Sequence, residues 1–253
     1  MERVTKASAF SIYLLLLASN THASSCGEHL KYGLPSEADI ILCRDGYSVG
    51  FDLEKHAPLW TSYFITKASA EASCDQDPDF IPDPDLPESE QASDEDYAGS
   101  GWDKGHMAPR ATMDFSCESE KQSIYYTNAA PQHPKINRNG WRTLESRIRN
   151  LTDSAGGLYI VTGAHYGNNK KLRGHVGIPT HFYKILYSPE AHAALAFWYP
   201  NGPMNAKDIP SGLTSINEIE SKTGYDFLNL LSAFEEVSVE ATIGSSLFND
   251  LQQ

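Results

Sequence analysis

Two stretches of this 253-residue chain concentrate side chains able to do acid–base and ionic chemistry. The first, YAGSGWDKGHMAPR from Tyr97 to Arg110, sets an acid, a cation and a base (Asp103, Lys104 and His106) within four positions, among Gly99, Gly101 and Gly105, which allow close backbone approach. The second, TNAAPQHPKINRNGWRTLESRIR from Thr127 to Arg149, carries Asn128, Asn137, Glu145 and Arg149. Hydrolysis of a phosphodiester suits these parts. It needs a base to activate water, a cation to stabilise the pentacovalent phosphorus, and a Lewis acid on the leaving oxygen. An isolated histidine is more often structural, and the other eight in the chain take that reading. His106 is set apart by its neighbours. For Asn137 the competing role is a helix cap, and for Glu145 an ordinary surface pair with Arg142 or Arg149 along a helix.

These residues must be positioned by regular elements. Trp141, Leu144 and Ile148 recur at intervals of three and four, which predicts a helix over Gly140 to Leu151 with Trp141 in the core. Ala38 to Cys43 and Tyr47 to Phe51 read as strands of a hairpin turning at Arg44, Asp45 and Gly46, and Pro58 to Ile65 as a third strand. SIYYT, Ser123 to Thr127, reads as a short strand. The aromatic and aliphatic runs Gly157 to Thr162, His181 to Tyr187 and Ala193 to Tyr199 have strand length and are expected to form the centre of a sheet. Ser215 to Leu231 reads as a short helix, a turn at Gly224 and another helical piece. Strands outnumber helices without strict alternation, so the expected class is α+β around a mostly antiparallel central sheet.

The N-terminus has Arg3 and Lys6, an apolar run from Ala9 to Ala18 and small residues near Ala23 and Ser24, the layout of a secretory signal peptide over residues 1–23. That run is too short to cross a bilayer, and no later stretch looks like a membrane span. Residues 24–253 are long enough for one well-buried domain. Four cysteines in an apparently exported chain point to two disulfides, with Cys26–Cys43 and Cys74–Cys117 preferred because each closes a modest loop. The net charge of -13 argues against a nucleic-acid partner until its distribution is considered. Asp75 to Asp96 holds ten acids and no base and reads as an exposed, Pro-rich loop, whereas Trp102 to Arg149 has eight Lys or Arg against five acids, a local +3.

DKGH together with TNxxPQxxxxNxxxWxxLE resembles the DNA/RNA non-specific endonuclease family, whose ββα-metal core usually carries DRGH. Looser similarity extends over IPTHFYK and IESKTGYDF. The resemblance implies a ββα catalytic core and endonucleolytic cleavage of DNA and RNA with little sequence preference, leaving 5′-phosphate ends. It implies that His106 is the general base and that Asn137 is the one direct protein ligand of hydrated Mg²⁺, with Mn²⁺ as the alternative ion. By the same carry-over Glu145 holds metal-bound water, Asn128 positions the site, Arg149 contacts phosphate, and Lys104 takes the place of the motif's arginine. Lysine keeps the charge but loses the bidentate fork. The family's phosphate-clamping arginine, some thirty residues before the motif, has no counterpart in the acidic stretch, where Lys67 or Arg110 is the nearest substitute. Two rivals stand beside this reading, a phosphodiesterase of small nucleotides and a nucleic-acid-binding protein that has lost turnover. An export signal would place the protein outside the cell or in the periplasm.

Overall fold

The structure, a computed structural model, describes residues 26–74 and 79–251. The proposed leader over residues 1–23 lies outside the described residues, as does the 75–78 portion of the acidic stretch. In chain order the strands are β1 (Ile40–Cys43), β2 (Ser48–Asp52), β3 (Ala57–Ile65), β4 (Asp103–His106), β5 (Ala129–Gln132), β6 (Leu158–His165), β7 (Lys171–Leu172), β8 (Val176–Gly177), β9 (His181–Ser188), β10 (Ala193–Pro200) and β11 (Leu213–Thr214). The helices are α1 (Lys67–Glu71), α2 (Asp94–Tyr97), α3 (Arg110–Met113), α4 (Cys117–Ser123), α5 (Arg142–Ala155), α6 (Ile216–Thr223), α7 (Ala233–Glu240) and α8 (Ser246–Leu251). Seven strands make the central sheet in the order β1-β2-β3-β6-β9-β10-β11, antiparallel throughout, while β4–β5 and β7–β8 form separate antiparallel pairs.

The sheet is buried on both faces, which is why its middle strands read as continuous apolar runs. Along β9, Phe182 and Leu186 join the core beneath α5, while Tyr183, Ile185 and Tyr187 join the core beneath α6 and α7, as a period of two requires. Helix α5 buries Leu144, Ile148, Leu151 and Ala155 and ends at Gly156, whose φ of 67° suits a left-handed cap. Leu144, Ile148 and Leu151 each contribute roughly 1.5–3 kcal/mol by burial. A π-helical turn, Ile136–Trp141, precedes α5, so helical winding begins earlier than the periodicity alone predicts. Together β4, β5 and α5 form a ββα unit packed against one face of the sheet.

Three sequence expectations are corrected. SIYYT is not a strand: Ser123 ends α4, Tyr125 makes one isolated bridge to Ile81, and Tyr126–Asn128 is a 3₁₀ turn. Strand propensity there loses to capping, because Ser116 Oγ accepts from Ser119 N–H at the start of α4, and Asn128 Nδ2 donates to the Ser123 carbonyl at its end. In the tail, Ser215 caps α6 and Gly224 closes it, but no second helix forms before Ala233, where Ser232 caps α7. The acidic stretch is not merely a solvated loop. Asp83 is fully buried, pairing with Arg44 at 2.6 Å and accepting from Thr127 Oγ1, since a carboxylate out of water needs a cation or donors. Disulfides join Cys26 to Cys43 and Cys74 to Cys117. No helix among the described residues is long and apolar enough to cross a membrane.

Candidate active site

The DKGH motif is strand β4, and the segment after the TN dipeptide is β5, registered so that Asp103 faces Gln132 and His106 faces Ala129. Gly105 is required by this pairing, because a Cβ there would lie 2.5 Å from Gln132 Oε1 and 2.6 Å from its Cβ. At the end of β4 the His106 ring sits 4.6 Å from that of Phe80, centroid to centroid. The residue as a whole is half-buried, but its Nε2 is closed off from solvent and has no hydrogen-bond partner. Burial, assisted by the Arg110 guanidinium, lowers its pKa from 6.5 to about 4, which leaves a neutral imidazole at pH 7.

At the other end of β4, Asp103 organises the start of the helical segment. Asn137 Nδ2 donates to Asp103 Oδ2 at 2.9 Å, while Arg138 Nε and Nη2 donate to the same carboxylate at 2.8 and 2.5 Å. Partial burial alone would raise the Asp103 pKa, but these hydrogen bonds outweigh it and hold the carboxyl below its ordinary range. Because the Asn137 amide nitrogen is committed, its oxygen is the end left for a ligand. Asn137 lines a 490 Å³ groove together with Asp103, Lys104, Trp102, Phe80, Asp94, Tyr97 and Ala98. A larger groove of 740 Å³ runs between residues 33–37 and 224–230 and contains none of the motif residues.

Lys104 reaches back to the acidic segment. Its Nζ donates to Asp94 Oδ1 and lies 5.3 Å above the Phe80 ring and 5.6 Å above that of Tyr126, whose hydroxyl donates to the same Asp94 oxygen at 2.7 Å. Asn128 is fully buried away from the groove. Its Oδ1 accepts from Ala108 N–H, and its Nδ2 donates to the carbonyls of Ala108 and Ser123, stitching the chain just past His106 to the end of α4.

Glu145 and Arg149 lie one turn apart on α5. Glu145 is not an ordinary surface residue: its side chain is 12% exposed, and its ion-pair partner is Lys184 of β9, 3.7 Å from Oε1, in place of Arg142 or Arg149. Burial raises the Glu145 pKa and lowers that of Lys184, while their mutual attraction opposes both shifts. Glu145 Oε1 is buried with no donor within 3.5 Å among the described residues, and Trp141 and Lys184 are the donors that act on the carboxylate. Arg149 forms no side-chain hydrogen bond or ion pair among the described residues, although its charge acts on Glu145. Of the two stand-ins for a phosphate clamp, Lys67 is tied to Asp153 at 2.8 Å, and Arg110 is paired with Glu120 at 3.4 Å while its charge also acts on His106.

The chain therefore gathers Lys104 and Asn137 in one groove, puts His106 behind the Phe80 wall of that groove, and places Asn128 behind His106. Sequence reasoning missed Phe80, Asp94 and Lys184. The lysine had a signal, since it is the one charge inside the strand-length run HFYKILY. Among the described residues no group of three or more His, Cys, Asp or Glu converges as a metal cage. The hard oxygens on offer are the Asn137 amide oxygen and the Glu145 carboxylate oxygen turned away from Lys184. That donor set fits a magnesium-like ion which keeps most of its own water.

A profile of the DNA/RNA non-specific endonuclease family matches residues 25–234. A nuclease of Nostoc sp. is 29% identical over 239 residues, covering 87% of each chain. The human mitochondrial endonuclease G is 31% identical over 224 residues, covering 81% of this chain and 75% of that one. The fold is similar to a chain in the crystal structure of an EndoG/EndoGI complex, with a TM-score of 0.73 at 26% identity, covering 81% of this chain and 92% of the other. With that match spanning both catalytic segments and most of the sheet, the chain belongs to the DNA/RNA non-specific endonuclease family and is a phosphodiester-hydrolysing endonuclease.

Proposed function

We propose that the protein is an exported endonuclease that uses Mg²⁺, or Mn²⁺ in its place, to cleave DNA and RNA with little sequence preference, leaving 5′-phosphate ends. The observation that carries this reading is His106, a neutral imidazole at the end of a strand whose other end orients Asn137. The His106 imidazole accepts a proton from the attacking water, and burial keeps the ring unprotonated at neutral pH. Lys104 and Arg149 supply positive charge to the phosphate, and Asn128 holds the backbone after His106 so that the ring keeps its place. Asn137 Oδ1 is the direct metal ligand, and Glu145 holds metal-bound water. The ion, when bound, supplies Lewis acidity for the scissile phosphate. Low sequence preference follows from contacts made to phosphate and sugar, which carry no base information directly.

Residues 24–253 form the nuclease domain, released after removal of the 1–23 leader outside the cell or into the periplasm. Two disulfides suit such an oxidising compartment. Cleavage of supercoiled plasmid and of RNA, with and without EDTA, by the wild type and His106→Ala tests the catalytic reading. The wild type should cut both substrates only with metal, and His106→Ala should lose about 10²- to 10⁴-fold in rate while folding normally. Near-normal cleavage by the variant would remove the base assignment. N-terminal sequencing of protein recovered from culture medium or periplasm should begin near Ser24.

A further inference from the structure

Lys184 is wholly buried in β9, between the apolar Phe182 and Leu186 that turn toward α5 on the same face. An ammonium group there must find partners or destabilise the fold. Its Nζ donates to Thr162 Oγ1 of the neighbouring strand at 2.7 Å, lies 4.7 Å from the centre of the Trp141 ring, and stands 3.7 Å from Glu145 Oε1. No donor lies within 3.5 Å of that oxygen among the described residues, and the donors that act on the carboxylate are Lys184 and Trp141. Thr162 and Trp141 are neutral, so Glu145 is the one anion paired with this cation among the described residues.

We infer that Lys184 is a positioning residue of the nuclease site, which anchors the inner oxygen of Glu145 from beneath and thereby leaves the other carboxylate oxygen to face the hydrated metal. This inference rests on the proposed role of Glu145. The arrangement is rigid where it matters: β9 is a central strand, Thr162 fixes the lysine tip from the adjacent strand, and the indole covers it. Trp141, one turn earlier, also acts on the Glu145 carboxylate, but as a neutral donor it leaves the negative charge uncompensated. Removing one member of a buried pair leaves the other charge uncompensated, so the effect of losing Lys184 should be transmitted through Glu145.

A double-mutant cycle with Lys184→Met, Glu145→Gln and the combined variant tests this, reading kcat at saturating Mg²⁺, the Mg²⁺ needed for half-maximal rate, Mg²⁺ affinity by calorimetry without substrate, and thermal unfolding. Lys184→Met should weaken Mg²⁺ binding and lower kcat by roughly tenfold, toward the lower end of outer-shell effects. In the Glu145→Gln background the same change should cost less than twofold. Equal losses in both backgrounds would show an independent structural role and overturn the inference, as would wild-type kcat and Mg²⁺ affinity in Lys184→Met. Should Lys184→Met fail to fold, Lys184→Leu, which likewise removes the donor, takes its place in the cycle under the same criteria. An inactive Glu145→Gln beside a fully active Lys184 variant defeats this inference alone. A fully active Glu145→Gln defeats the Glu145 reading and this one with it.

Discussion

His106 and Asn137 stand near opposite ends of β4, and the physics of each gives a separate expectation. A buried imidazole with a pKa of about 4 is a base throughout the neutral range. The wild-type kcat/KM should therefore hold level from pH 7 to about 5.5 and fall only at lower pH; an acid limb centred at 6.5 would contradict the burial of this ring. The same depression affects folding. Below pH 6.5 the unfolded chain takes up a proton at His106 that the native state refuses until about pH 4, so stability drops as pH falls through that window. Urea unfolding at pH 7 and pH 4.5 should show a smaller acid penalty in His106→Gln than in the wild type. Asn137 is expected to act on metal and not on protons. Calorimetric titration of Asn137→Ala with Mg²⁺ should show weakened binding, whereas His106→Ala should keep its affinity; wild-type affinity in Asn137→Ala would leave Asp103 as its only business.

At the scale of elements, the acidic segment is the least expected part of the site. Asp83 roots it in the core through Arg44 and Thr127, and α2 then carries Asp94 onto Lys104. An incoming phosphate meets Lys104 already paired. Asp94 is 67% exposed, and solvent-exposed pairs contribute only about 0.2–1 kcal/mol, so the competition is modest. Asp94→Asn should lower KM for DNA about 1.5- to 5-fold at low salt with little change in kcat, and the gain should shrink as salt is added. Steady-state kinetics at two ionic strengths would check this, and an unchanged or raised KM would count against it. The π-helical turn at Ile136–Trp141 is the other local departure. Such turns break regular winding at functional positions, and here the break contains Asn137 and the Arg138 that helps fix Asp103.

For the whole molecule, one antiparallel sheet separates two cores, with the ββα unit on one face and α6 and α7 on the other. The disulfides tie in peripheral chain: Cys26–Cys43 holds the first described residue to the end of β1, and Cys74–Cys117 links the entrance of the acidic segment to the start of α4. Sequence separations of 17 and 43 correspond to about 3 and 4 kcal/mol of loop-closure entropy removed from the unfolded chain. Reduction should lower the urea midpoint accordingly, and an unchanged midpoint after full reduction would show that these links add nothing to stability. The overall charge of -13 is compatible with an anionic substrate, because Asp83, Asp85 and Asp94 of the acidic stretch are paired with Arg44 and Lys104.

The sequence by itself indicated six of the seven strands of the central sheet, the helix under Trp141, Leu144 and Ile148, the preferred cysteine pairs, and the two motif segments. These depend on local periodicity, on loop lengths or on short motifs, all of which can be read within a few residues. Tertiary structure alone decided that SIYYT would yield to the caps of α4, that Asp83 would be buried, that Asp94 would cover Lys104, and that Glu145 would find Lys184 instead of a helical neighbour. In each case the outcome turns on a partner or a cap outside the local pattern. A charged side chain removed from water binds whatever compensating group the fold brings within a few ångströms, and no local pattern says which group that will be.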